Sequence, residues 1–269
     1  MKNTVVEEIE YYRWAVRNRS YRMNLFNTII EIIYPPRCPI CERFLGNNRV
    51  KKIQKDLLIC QDCFDDFKEI TSPLCPICSK PFESEVEEDH LCEDCLRKRP
   101  LYDAMGVPYL YEGGLMMGIH QFKYGGKTHL AGSLGPLLAS FAKRWLHKMD
   151  GCLMMPVPLH PKRLRERGFN QSLLLARHVA PILGTELDFL TLRRVRDTLP
   201  QTGLNRDERR KNVRRAFELK EKKVVKGRSI ILVDDVATTG STLSECARVL
   251  KRSGSHRVLC LVLARTSGR

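Results

Sequence analysis

Eight cysteines fall between residues 38 and 95 as four pairs with one spacing: Cys38/Cys41, Cys60/Cys63, Cys75/Cys78 and Cys92/Cys95. A two-residue gap lets both thiolates of a knuckle face one ion, and two knuckles complete a tetrahedral all-sulfur site. The segment repeats itself. Cys-Pro-Ile-Cys at 38–41 recurs at 75–78, and Cys-Gln-Asp-Cys at 60–63 recurs as Cys-Glu-Asp-Cys at 92–95. The alternation favours one ion per repeat, Cys38/Cys41/Cys60/Cys63 and Cys75/Cys78/Cys92/Cys95. Cross-bracing, first knuckle with third and second with fourth, is the competing pairing and uses the same eight ligands.

Disulfides are the ordinary alternative for so many cysteines, but they belong to exported chains. Glu7, Glu8 and Glu10 stand where a signal peptide is apolar. Iron–sulfur clusters also take all-cysteine ligands, yet regular paired knuckles suit zinc better. The expectation is two structural zinc ions. A segment this short and acidic has little core of its own, so metal binding should drive its folding. His90, close to Cys92, reads as a solvent-exposed neighbour rather than a ligand. The remaining cysteines, Cys152, Cys246 and Cys260, are isolated in apolar surroundings and read as small core residues.

Charge divides the chain. Residues 1–100 hold 16 Lys+Arg against 17 Asp+Glu, while residues 101–269 hold 30 against 14. The net +15 therefore lies in the later part, which should face an anion (nucleic acid, a polyphosphate or acidic lipid) unless it is simply a solvated basic surface. The longest apolar runs, such as 29–34 with Glu31 inside it, fall far short of the ~20 residues of a spanning helix. No membrane span is expected, and the cytoplasm is the expected location.

Before the cysteines, Leu25, Ile29, Ile32 and Ile33 are spaced as one helical face until Pro35-Pro36 stops the run. Residues 1–22 are polar with weak periodicity, and Met23 is a candidate biological start. The expected organisation is an extension and amphipathic helix at 1–37, a double zinc-ribbon unit at 38–100, and an anion-binding α/β domain at 101–269.

The informative stretch of that domain is Ser229-Ile-Ile-Leu-Val-Asp-Asp-Val-Ala-Thr-Thr-Gly-Ser-Thr-Leu. Ile230–Val233 has the composition of a buried parallel strand. Leu243, Cys246, Ala247 and Leu250 follow at i, i+3, i+4 and i+7, one helical face; Gly254 should end that helix, and Arg257–Leu263 reads as the next strand. A small-residue loop thus joins a strand end to a helix N-terminus, where free N–H groups and the helix dipole favour phosphate. Gly240 permits close backbone approach, and Thr238, Thr239, Ser241 and Thr242 offer hydroxyls. Asp234 and Asp235 stand at the carboxyl end of the strand, where open α/β sheets bind ligands, and suit a sugar diol, a metal ion or both. A capped helix beside solvated aspartates is the plainer alternative, but it leaves the paired acids unexplained.

Val233-Asp-Asp-Val-Ala-Thr-Thr-Gly-Ser-Thr resembles the phosphoribosyl pyrophosphate (PRPP) motif of type I phosphoribosyltransferases. With Pro156 through Arg167-Gly-Phe-Asn-Gln, Gln201 through Phe217, and the knuckles in front, residues 23–269 resemble the competence protein F family with its GntX-like relatives. The doubled cysteine unit departs from many relatives, which bears on the zinc count and not on the fold. The resemblance implies a type I phosphoribosyltransferase-like parallel sheet flanked by helices. It further implies that Asp234 and Asp235 hold the ribose hydroxyls, with magnesium bridging ribose and pyrophosphate, and that Ala237, Thr238, Thr239, Gly240, Ser241 and Thr242 hold the 5′-phosphate.

Four basic residues, Lys162, Arg163, Arg165 and Arg167, are expected on a loop after a strand at 152–157. Arg163 and Arg167 are the candidates for pyrophosphate because the guanidinium fork matches phosphate oxygens; a nucleic-acid backbone is their rival ligand. Gly168 and Asn170 should shape the turn. His160, with no carboxylate partner visible in sequence, is given no role. The stretch Thr198-Leu-Pro-Gln-Thr-Gly has the composition of a lid, with Gln201, Arg206, Arg209 and Asn212 as lid or nucleic-acid candidates; an exposed helix face along phosphates is the alternative. Lys123 and Tyr124, on an expected basic loop at 122–127, are candidates for the acceptor site or for stacking on a base, and Tyr124 for ordinary packing.

Two functions follow as expectations. One is transfer of ribose 5-phosphate from PRPP to an acceptor that the sequence does not identify, with pyrophosphate leaving. The other, implied by the resemblance and supported by the basic charge, is handling of single-stranded DNA during uptake, with a helicase-like competence protein as a possible partner. A non-catalytic PRPP sensor or adapter needs the same pocket.

Overall fold

The computed structural model describes residues 34–45, 58–82, 88–146, 151–198 and 205–267. The expected helix through Ile33, residues 1–22, Gln201 and the stretch 199–204 lie outside them, as does the side chain of Arg206.

The sequence repeat is a structural repeat. In the first unit Glu42 N–H donates to Cys38 O and Glu42 takes φ +62°; in the second Ser79 N–H donates to Cys75 O and Ser79 takes φ +53°. Antiparallel bridges close both loops, Arg37 with Phe44 and Leu74 with Pro81. The later knuckle of each unit starts a one-turn helix, α1 (Gln61–Asp65) after Cys60 and α2 (Glu93–Arg97) after Cys92.

The basic part alternates strands and helices: β1 (Ala104–Gly106), β2 (Tyr109–Leu110), α3 (Gly113–Tyr124), α4 (Ala131–Trp145), β3 (Leu153–Pro156), α5 (Pro161–Arg167), α6 (Gln171–Leu183), β4 (Glu186–Leu187), β5 (Leu192–Arg194), α7 (Arg206–Val213), β6 (Phe217–Leu219), β7 (Ser229–Ala237), α8 (Ser241–Arg252) and β8 (Arg257–Arg265). The sheet runs β1-β8-β7-β3-β4, with β2 also on β8, and every pairing in it is parallel. Its central strands, β7 and β8, pair from Ser229↔Arg257 to Ala237↔Arg265 and are apolar on both faces, as strands covered on both sides must be. Strands β5 and β6 form a separate antiparallel pair.

Successive strand residues point to opposite faces. Ile231, Val233, Leu259 and Leu261 meet α4 and α6, whereas Ile230, Leu232, Val258 and Cys260 meet α8. The two ribbons divide in the same way. Cys38, Ile40, Cys60 and Cys63 join the first cluster, beside Leu115, Ile119 and Phe122 of α3. Cys75, Ile77, Cys92 and Cys95 join the second, beside Tyr102 and Met105. Each ribbon therefore borrows its core from one face of the sheet, which suits units too small to bury a core alone. Cys152, Cys246 and Cys260 are buried, as the sequence suggested.

Candidate functional site

The eight thiols gather as two sets, Cys38/Cys41/Cys60/Cys63 and Cys75/Cys78/Cys92/Cys95, with the sulfur atoms of each within 4.8 Å of one another. This is the sequential pairing; cross-bracing is excluded. Cys41 and Cys60 sulfurs are 3.6 Å apart, as are those of Cys78 and Cys92. A tetrahedron with 2.3 Å zinc–sulfur arms has edges of about 3.8 Å, so both sets fit a structural zinc. His90 is exposed and stacks on Phe82 at 3.9 Å, outside the ligand set.

Strand β7 continues past its apolar run, so Asp234 and Asp235 lie within it and the connecting loop shortens to Thr238–Gly240. Gly240 takes φ +70°, and a Cβ there would stand 2.9 Å from the Tyr102 hydroxyl; both features exclude a side chain. Thr239 and Ser241 hydroxyls meet at 2.8 Å. Asp235 is 5% exposed, and its Oδ1 lies 2.9 Å from Lys123 Nζ. Asp234 Oδ1 accepts from Ser172 Oγ and from Asp235 N–H, both at 2.9 Å. Burial first, and the Asp235 charge second, push the Asp234 carboxyl up to about 7. Burial opposes the Lys123 ammonium, yet Asp235 outweighs it and holds the lysine above its ordinary value.

Two clefts open beside this acid pair. One, of about 1010 Å³, has Ala237–Ser241 on its floor and contains Arg209; the second zinc ribbon and α8 contribute to its walls. The other, of about 1100 Å³, brings together Lys123, Tyr124, Arg163, Arg167 and Asn212. Lys211 of α7 borders both. Asp234 and Asp235 line neither: Lys123 lies on Asp235, while Asp234 is partly buried against Ser172.

Two expected loops are corrected. Arg163 and Arg167 lie on the short helix α5, which begins at the His160 cap with Pro161 in its first turn and ends at Gly168 with φ +81°. Lys123 and Tyr124 occupy the last turn of α3, because Leu115, Ile119 and Phe122 form one buried helical face that continues to Gly125. Tyr124 is 67% exposed and receives the Arg167 guanidinium 5.0 Å from its ring centroid. Asn170 caps α6 through Ser172 N–H and donates to Val157 O at 3.1 Å, so it does shape the turn.

Sequence reasoning missed the acceptors opposite α5. Asp197 lies 3.4 Å from Lys162 Nζ and 3.8 Å from His160 Nδ1, and Arg163 Nη2 donates to Thr198 O at 2.9 Å. Arg194, 8% exposed, donates to Thr198 Oγ1 and lies over Phe217. Asp197, one of three acids among nine basic residues between 193 and 215, was the available signal.

Comparison with known proteins settles the lineage. A DNA utilization protein YhgH from Salmonella typhimurium is 35% identical over 77% of this chain and 90% of its own length. Competence protein F from Haemophilus influenzae is 31% identical over 90% of this chain and 99% of its own. The chain belongs to the competence protein F family. Its double zinc ribbon domain matches at residues 29–96, covering all eight cysteines, and a phosphoribosyl transferase domain matches at 170–269, covering the acid pair and the Thr238–Gly240 loop. Lys123, Arg163 and Arg167 fall between the two matches, so in this member of the competence protein F family their placement rests on the geometry above. Among solved structures, phosphoribosylpyrophosphate synthetase from Mycobacterium smegmatis overlays with a TM-score of 0.33 at 14% identity, over 53% of this chain and 39% of that one.

Proposed function

We propose that this protein binds Mg²⁺·PRPP and works in the cytoplasm on incoming single-stranded DNA during natural transformation. The observation that carries the proposal is the joining of three parts at one end of the sheet: a phosphate loop, a carboxylate pair and an arginine-lined cleft. The loop of Thr238–Gly240 with Ser241 and Thr242 would take the 5′-phosphate through N–H and hydroxyl donors. Asp234 and Asp235 would take the ribose hydroxyls, and Arg163 and Arg167 the pyrophosphate. The Lys123 ammonium already stands at Asp235, so the acid pair suits a cation. Magnesium, when bound, offsets charge on the pyrophosphate; the chain's own groups orient the ribose and hold the leaving group. The DNA role follows from the names of the relatives, competence protein F and DNA utilization protein, and from the basic charge of residues 101–269. Among the described residues no helix is long and apolar enough to cross a membrane.

A sensor or adapter without turnover is the second reading, favoured by the Lys123–Asp235 contact, which engages one of the two acids. Titration of Mg²⁺·PRPP into zinc-loaded protein, with Asp234→Asn/Asp235→Asn as control and pyrophosphate release followed with and without single-stranded DNA, separates the readings. Binding with release marks a phosphoribosyltransferase; binding without release marks the sensor. Absence of binding to the unmutated protein sinks both.

A further inference from the structure

The cleft over the phosphate loop is larger and more cationic than one phosphate monoester requires. About 1010 Å³ in volume, it is lined by eleven lysine and arginine residues and only two acids, Asp94 and Glu245. The cations come from separate walls: Lys98 and Arg99 from the second ribbon, Arg214 and Arg215 from the approach to β6, Arg252 from α8 and Arg265 from the end of β8. Small-molecule pockets of this size are mostly apolar. The one aromatic in this lining, Tyr102, is 3% exposed and offers no stacking platform.

The walls are fixed before any ligand arrives. Arg265 is 6% exposed and donates to Cys78 O, the carbonyl of a zinc knuckle, so the second ribbon sets its guanidinium. Arg215 takes φ +56°, in the left-handed region that side chains disfavour. Its N–H is held by Glu245 Oε1 at 2.6 Å, and Arg248 grips the same carboxylate at 2.7 and 2.9 Å.

We infer that this cleft is a track for the sugar–phosphate backbone of a single-stranded polynucleotide, and that the loop on its floor accepts either one of the strand's phosphates or the 5′-phosphate of PRPP. The two ligands exclude each other there. The track rests on the single-stranded DNA part of the function proposed above, and the competition on its PRPP part. Phosphate-led contact without stacking makes the binding sequence-tolerant and steeply salt-dependent.

The test is fluorescence anisotropy of a labelled oligothymidylate on the zinc-loaded full chain, with Lys98→Glu/Arg99→Glu compared with Lys143→Glu/Arg144→Glu. The second pair is exposed on α4 and lines neither cleft, so it removes the same charge elsewhere. The ribbon pair should weaken binding at least ~10-fold more than the α4 pair and flatten the log–log salt slope by about 1.4, roughly 0.7 per lost phosphate contact. Equal effects of the two pairs overturn the track without PRPP being present. PRPP should then displace the oligonucleotide in proportion to its own occupancy, measured by calorimetry. PRPP that binds while leaving oligonucleotide affinity unchanged overturns the shared loop. PRPP that fails to bind by calorimetry overturns the functional reading and the competition together.

Discussion

Lys123 Nζ lies 2.9 Å from Asp235 Oδ1, so α3 lays a cation on the acid pair of β7. Both side chains are largely buried, at 18% and 8% exposed. Taking one partner from a buried pair costs about 3 kcal/mol, because the other charge is left uncompensated. Lys123→Met should therefore lower thermal stability in chelator, and Mg²⁺ should recover part of the loss by supplying a cation. A variant that melts like the parent, or one that Mg²⁺ leaves unrecovered, removes the lysine from this role.

The Asp234 carboxyl, pushed up to about 7, makes ligand binding pH-dependent. An ordinary aspartate titrates near 4, so between about pH 4 and 7 the unfolded chain ionises while Asp234 in the fold keeps its proton. Its contribution to stability thus declines as pH rises through that window. Binding of Mg²⁺·PRPP, which uses the ionised acid, should run the other way. Affinity should gain about tenfold between pH 6 and 8, with close to one proton released at pH 6. Calorimetry in two buffers of different ionisation enthalpy measures that proton, and none released means that Asp234 is already ionised.

Asp197 lines the α5 cleft as an anion belonging to the chain itself, against Lys162 and His160. On the function proposed above, a pyrophosphate held at Arg163 would meet this carboxylate as a competitor. The Lys162–Asp197 pair is long and half-exposed, worth at most about 1 kcal/mol. Asp197→Asn should accordingly tighten pyrophosphate binding by up to about fivefold, while Asp197→Glu stays near the parent. Equal affinity of parent and Asn variant would show that the carboxylate stands clear of the ligand path.

What the sequence disclosed was local. The β7–loop–α8 unit is legible because an apolar run, a small-residue loop and an i, i+3, i+4, i+7 face follow one another without interruption. The zinc sets are legible because a tetrahedral ion demands its spacing. Lys123 and Asp235, by contrast, meet only through the packing of α3 on the sheet, and no periodicity announces that contact. Helix α5 carries a start signal in Pro161 and a stop signal in Gly168, but its seven residues hold four cations and no buried face, so no hydrophobic periodicity marks it. That the two ribbons lie on opposite faces of the sheet follows from which strand residues point where, a property of the assembled fold.

That division gives the two zinc ions different duties. The first ribbon holds α3: Gln121 Nε2 donates to Ile40 O at 3.1 Å, and Lys127 Nζ reaches Pro39 O at 3.2 Å and Glu42 at 2.7 Å. It thereby positions Lys123. The second ribbon holds Arg265 and one wall of the loop-side cleft. Two zinc ions per chain should be released when the protein is denatured in a thiol-reactive reagent, and one from either single-site variant. Cys60→Ser/Cys63→Ser should chiefly reproduce the Lys123 phenotype, with its Mg²⁺-sensitive melting, because α3 loses its support. Cys92→Ser/Cys95→Ser should chiefly weaken oligonucleotide binding, because the cleft loses its ribbon wall. Loss of a structural zinc removes most of the folding energy of so small a unit, so each variant should also expose its own face of the sheet to hydrogen exchange. Identical exchange patterns in the two variants would mean that the ribbons act as one body.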